Sequence, residues 1–177
     1  LPVPPVLIVH SALSRARDTA RIVNESLCLP MREDADLGEI HGGNLEGQSF
    51  DIFRDHVRQR KDPPGGERLD DFTARAVRAI ARALSILPQD DPSPILIVAH
   101  GGIFRAFGEL YGVSIRGVEN CHLIDCIPDP EQGGFPWLLR EYELTGQGAR
   151  HKDTTLQIAP LVSTTISVAA SSSGSKG

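Results

Sequence analysis

Apolar residues enter this chain in two ways. Val6-Leu7-Ile8-Val9 and Ile95-Leu96-Ile97-Val98-Ala99 are short unbroken runs of β-type residues. A run without alternation suits a strand covered on both faces. Elsewhere apolar positions recur at helical spacing. From Ser14 to Leu27, Ala16, Ala20, Val23 and Leu27 form one stripe, with Arg17, Asp18, Arg21 and Glu25 mostly opposite, and Pro30 closes the segment. Leu69 to Leu87 is the longest helical stretch. Phe72, Ala76, Ala79, Ile80, Ala83 and Leu87 share its apolar spacing, Arg75, Arg78 and Arg82 line another face, and Pro88 and Pro92 stop it. Phe50 to Lys61 reads as a helix with a charged outer face, and Ile103 to Tyr111 as another.

Between these elements lie breaks. Asp36 to Gly47 is a loop with four glycines and three carboxylates, and Pro63-Pro64-Gly65-Gly66 is a sharp interruption. Cys121 to Ile127 and Trp137 to Leu144 read as two later strands around a loop rich in Pro and Gly. Past Thr145 the pattern is lost, and the chain ends in Ser-Ser-Ser-Gly-Ser-Lys-Gly, a segment expected to be disordered. Strands alternating with helices predict an α/β layered fold. One domain is expected over residues 1–145, with 146–177 as a tail.

Composition narrows the field. The chain has 177 residues, enough for one domain with a real core. Its net charge of −5 argues against a general nucleic-acid binder, which needs a basic face, but leaves room for a local anion site. No apolar run approaches the roughly 18–20 residues that cross a bilayer, so no membrane partner is expected. No secretory signal is visible, and the chain begins with Leu1. Cys28, Cys121 and Cys126 have no framework spacing; they are expected to be reduced, structural thiols in a cytoplasmic protein. Neither C-x-x-C nor H-E-x-x-H occurs, so no metal or other cofactor is expected.

Three local patterns carry candidate chemistry. Arg15 falls in the first turn of the helix that follows the first strand, where free N–H groups and the helix dipole already favour an anion. Glu39 lies on the Gly-rich loop, where a carboxyl can protonate a leaving group or activate water. His100-Gly101-Gly102 follows the best strand directly and opens a helix. The carboxyl end of a central strand is where α/β proteins bind ligands, and the Gly101 turn presents backbone N–H to an anion.

Together the three patterns resemble the histidine phosphatase superfamily, also called phosphoglycerate mutase-like. Ser11-Ala12-Leu13-Ser14-Arg15-Ala16-Arg17-Asp18-Thr19-Ala20 is similar to that family's S-P-L-x-R-A-x-x-T-A segment, with Ala12 in place of proline. Leu37-Gly38-Glu39 with Gly42-Gly43-Asn44-Leu45-Glu46-Gly47 resembles its L-x-E-x-x-x-G-x-x-E-G loop. Gly65-Gly66-Glu67, followed by Arg75, resembles its G-G-E-S stretch and helix, and Val98-Ala99-His100-Gly101-Gly102 its V-S-H-G-G segment. The resemblance implies a three-layer α/β/α sandwich around a mostly parallel sheet. It also implies phosphoryl transfer through a phosphohistidine, without a metal. Arg15 and Gly101 would bind the phosphate, His100 would neutralise transferring charge, and Glu39 would be the acid that serves the leaving oxygen. His100 follows Glu39 by only 61 residues, which favours the phosphatase branch, acting on a small phosphorylated substrate, over phosphoglycerate mutase-type transfer.

The family's nucleophile lies in an R-H-G segment upstream of S-P-L-x-R-A, and none of the ten residues before Ser11 reads that way. The first strand, expected mid-sheet, and its histidine are therefore expected to be missing. Three explanations stand: an N-terminally incomplete sequence, an inactive relative that binds a phosphorylated ligand or a protein, or a permuted arrangement using Arg150-His151-Lys152. A sheet lacking a central strand is expected to leave unpaired backbone groups, through which the chain could form a homodimer. His10 reads as a pocket-rim residue. The charged cap residues Arg54, Arg58, Arg60 and Lys61 read as a solvated helix face or as an attractor for an acidic substrate.

Overall fold

The computed structural model describes residues 3–131, 133–146, 148–152 and 156–161. The first apolar run becomes strand β1 (Leu7–His10), buried along its whole length. Helix α1 (Ser14–Leu27) follows, then a short strand β2 (Met31–Glu33). The acid loop has two single-turn helices, Ala35–Leu37 and Gly43–Leu45, before α2 (Phe50–Arg58). Helix α3 (Leu69–Leu84), strand β3 (Ile95–Val98) and helix α4 (Gly101–Tyr111) complete the first part. Strands β1 and β2 are parallel, as are β1 and β3, in the order β2-β1-β3.

The principal core lies between this sheet and helices α3 and α4. Leu7 and Val9 pack with Leu37, Ile40, Phe72, Ala76, Ala79, Ile103 and Ala106. Phe72, Ala76 and Ala79 are inward residues of the α3 stripe, which is where the sequence placed it. The α1 stripe is only half used. Ala16 and Ala20 are buried, but Val23 is exposed.

The remaining strands are β4 (Val113–Arg116), β5 (Ile124–Pro128), β6 (Trp137–Thr145), β7 (Gly148–Lys152) and β8 (Gln157–Pro160). They pair antiparallel as β5-β6-β7 and β4-β8. Phe107 and Tyr111 from α4 meet Phe135 edge-on at 5.7 and 5.6 Å, which ties this region to α4. Residues expected to open a patternless tail therefore include two paired strands; the Ser-rich end lies outside the described residues. β1 and β3 pair directly, with Val9 opposite Ile97, so the described strands leave no gap between them. Among the described residues the edges of the parallel sheet are β2 and β3. No helix among the described residues is long and apolar enough to cross a membrane.

Candidate active site

The sequence-predicted residues converge where β1 and β3 end. Ser11 N donates to Val98 O at 3.0 Å, which carries the parallel pairing one residue past β1. Ser11 Oγ then accepts from Leu13 N at 3.2 Å, turning the chain into α1 and placing Arg15 in its first turn. His100, in extended conformation, is the residue from which α4 starts. Arg15 Nε donates to His100 Nδ1 at 3.1 Å, and His100 Nε2 lies 2.9 Å from Ser11 Oγ. The strand pairing thus brings together two side chains 85 residues apart.

Glu39 reaches the same helix start from the other side. Its Oε2 accepts from Gly102 N at 3.2 Å, and its Oε1 from Ile40 N at 2.9 Å. A carboxylate at a helix N-terminus is favoured by the dipole and by the unpaired N–H groups there. Gly102 has to be glycine, because a Cβ would collide with Glu39 Oε1 and press on Phe72. The second N–H of the turn is therefore taken by the acid. Gly101 stays exposed at the helix start, with open space where a Cβ would be.

The acid loop is held from α3. Arg75 Nη1 donates to the carbonyls of Asp36 and Gly38 at 2.7 and 2.8 Å, and Nη2 to that of Glu39 at 2.9 Å. Its Nε and Nη2 also grip Glu67 at 2.6 and 2.7 Å in a bidentate pair. Burial alone would raise the Glu67 carboxyl, but the Arg75 hydrogen bonds and the His41 N–H hold it below the usual range. One turn pair further on, Arg82 binds Asp34 and Asp36, and Asp34 is lowered by that contact. The loop backbone also lies flat on the Pro63–Gly66 break: Asn44 N donates to Pro64 O and Glu67 N to His41 O, each at 2.9 Å.

His100 is kept below the ordinary histidine value, first by burial, then by the Arg15 charge and also by Arg75, with Glu39 pulling the other way. The Arg15 N–H directed at Nδ1 likewise favours the neutral imidazole. A neutral ring between a guanidinium and a helix N-terminus, with a carboxyl across the same turn, can bind an anion and move a proton.

Other expectations change. His10 is buried, with Nδ1 turned onto Ser11 O at 3.0 Å, so it is not at the pocket rim. The Arg150-His151-Lys152 stretch is strand β7, paired to β6; Lys152 meets Glu141 at 3.0 Å and His151 meets Asp125 at 3.5 Å. It is a sheet strand and not a turn leading to a helix, which removes the permuted arrangement. The three thiols, expected to be reduced and structural, are free and exposed. Arg60 is not simply solvated: it pairs with Glu109 of α4 at 2.7 Å. The side chains of Arg54 and Arg58 lie outside the described residues. Among the described residues no group of three or more His, Cys, Asp and Glu side chains is placed to hold a metal ion. Sequence reading missed Ser11 and Arg75 as site residues. The available signals were their places in the quoted motifs, Ser11 at the head of its segment and Arg75 after Gly65-Gly66-Glu67.

The chain is similar to known proteins over most of its length. The model of the histidine phosphatase superfamily (branch 1) matches residues 2–126. The glucosyl-3-phosphoglycerate phosphatase of Mycobacterium tuberculosis is 35% identical over 116 residues, 58% of this chain and 52% of that protein. The 2,3-bisphosphoglycerate-dependent phosphoglycerate mutase 2 of Gloeobacter violaceus is 33% identical over 141 residues, 71% of this chain and 64% of that protein. This chain thus spans about half to two thirds of the length of these two relatives. A mycobacterial glucosyl-3-phosphoglycerate phosphatase, solved with inorganic phosphate, superposes with a TM-score of 0.60 at 28% identity, covering 77% of this chain and 75% of that one.

Proposed function

The chain belongs to the histidine phosphatase superfamily, branch 1, and from that premise we propose that its site receives the phosphoryl group of a small phosphomonoester for hydrolysis. The observation that carries this reading is the convergence of Arg15, His100 and Glu39 on the first turn of α4. Arg15 and the Gly101 N–H bind phosphoryl oxygens. His100 donates to an oxygen as charge builds in the transition state, which makes it more valuable there than in the ground state. Glu39 gives a proton to the leaving oxygen, then takes one from water when the phosphohistidine is hydrolysed. The nucleophile in this reading is a histidine on an R-H-G segment, which these 177 residues do not contain. The residues present therefore form the receiving side of the reaction, and these 177 residues alone bind phosphate without turning over ester. Three unpaired thiols support a reducing compartment.

Hydrolysis is favoured over mutase transfer by the short stretch between Glu39 and His100, which holds a single-turn helix, α2, α3 and β3. The test is calorimetric titration with inorganic phosphate beside an aryl phosphate assay. Wild type is expected to bind phosphate and to show negligible turnover. His100→Ala and Arg15→Ala are each expected to weaken binding about tenfold or more, the loss of one charge-assisted contact. Ester hydrolysis that survives His100→Ala, or phosphate affinity that ignores both substitutions, would sink the assignment. Retained binding of a protein partner with no phosphate affinity would point to the interaction-module alternative.

A further inference from the structure

We propose that Ser11 is a positioning residue for His100: it anchors the Nε2 edge of the imidazole and so leaves Nδ1 as the edge that meets a ligand. The ligand half of this statement rests on the phosphoryl-site reading above; the anchoring half does not. The geometry determines the proton positions. Arg15 Nε carries a hydrogen and no lone pair, so its 3.1 Å bond to His100 Nδ1 requires a lone pair on Nδ1. A neutral ring then has its proton on Nε2, and that N–H points at Ser11 Oγ, 2.9 Å away.

The two edges are held very differently. Ser11 is fully buried, its N–H is bonded to Val98 two residues before His100, and its Oγ already accepts from Leu13 N. It extends the β1–β3 pairing to Val98, two residues before the ring it anchors, and has no freedom to move away. Arg15 is exposed, on the surface of α1. An incoming anion can draw Arg15 off Nδ1 without disturbing Ser11.

The hydroxyl also suits what the ring does next. To donate to a phosphoryl oxygen, His100 needs a proton on Nδ1, where the unliganded ring has none. If the ring changes tautomer, Nε2 becomes an acceptor, and the Ser11 O–H can turn to donate to it. If the ring instead takes a second proton, Nε2–H continues to donate to Oγ. In either case Ser11 remains bonded, because a hydroxyl both donates and accepts. The charged groups that face the ring are Arg15 from α1, Arg75 from α3 and Glu39 from the acid loop.

The test uses the full chain with nitrogen-15 labelled histidine, without ligand, at pH 7.5, with His100 assigned by comparison with His100→Gln. Wild type is expected to show the Nε2–H tautomer at His100. Ser11→Ala is expected to move the His100 Nε2 resonance and weaken inorganic phosphate binding about tenfold, while Ser11→Thr restores both. A role confined to starting α1 would lower stability but leave the His100 resonances in place. An Nδ1–H tautomer in wild type, or unchanged Nε2 resonance in a folded Ser11→Ala, overturns the proposal. The wild-type measurement decides even where a variant does not fold. If the tautomer and its response follow the proposal but no variant binds phosphate, the phosphoryl-site reading fails and the anchoring of His100 stands.

Discussion

Glu39 and His100 flank the same turn of α4, yet the fold holds them in opposite ways. On the acid side, Arg75 uses all five of its N–H donors on Glu67 and three loop carbonyls, and its guanidinium lies 4.9 Å from the centre of the Phe72 ring. Arg82 adds a second grip, and Gly102 closes on the Glu39 carboxylate. On the histidine side the contacts are one buried hydroxyl and one exposed arginine. In the proposed reaction Glu39 serves a leaving oxygen, a task that benefits from a fixed position because misplacement costs rate directly. A group that must exchange an internal partner for a ligand benefits from a partner that water already reaches.

The strongest way to break this contrast is to take out the support of the acid side. Phe72 is fully buried, under both Arg75 and Gly102. Phe72→Ala is expected to cost about 3–5 kcal/mol in urea unfolding. A cost below about 1 kcal/mol would mean that the acid side is not built on a packed core.

Arg75→Met should follow, at roughly 3 kcal/mol, because it strands the Glu67 carboxylate and leaves three loop carbonyls without their donor. Arg75→Lys should recover little, since an ammonium cannot reproduce a planar fork to a carboxylate and three carbonyls. The pH dependence has a definite sign. Glu67 is lowered in the fold, so its contribution is present above the unfolded value of about 4.3 and is lost as pH falls through the folded value. In Arg75→Met this acid limb is expected to move to higher pH. An Arg75→Lys protein as stable as wild type would show that the loop is held by something else.

The same contrast explains what could be read from the chain. Val6–Val9, Ser14–Leu27 and Leu69–Leu87 were legible because their periodicity is local and their burial strong. Arg15, Glu39 and His100 were legible through order and motif, and the strand pairing brings them together. β2, β4, β7 and β8 were not. Met31-Arg32-Glu33 and Gly148-Ala-Arg-His-Lys152 are polar edge strands, and their only strand signal is the partner they pair with. Arg75 looked like one of three arginines on a helix face. Nothing near it in sequence says that the carbonyls of residues 36–39 wait for it. Ser11 was a letter in a motif; its role needs the ladder that sets it beside His100.

The mildest test concerns β3, which leads into His100. Val98 O faces β1, because it accepts from Ser11 N. Backbone groups alternate along a strand, so Leu96 and Val98 turn theirs to β1, while Ile95 and Ile97 turn theirs to the open edge. All four side chains are half-buried, where β1 beside them is buried throughout. Native-state hydrogen exchange should therefore split β3 by parity: Leu96 and Val98 protected close to the global unfolding free energy, Ile95 and Ile97 exchanging through small local openings. The β1 amides, bonded on both sides, should all be slow. Equal protection of Ile97 and Val98 would mean that another strand pairs along β3. A protection that fell on dilution would identify that strand as a second copy of the chain, and would put the loosely held side of the site at an interface.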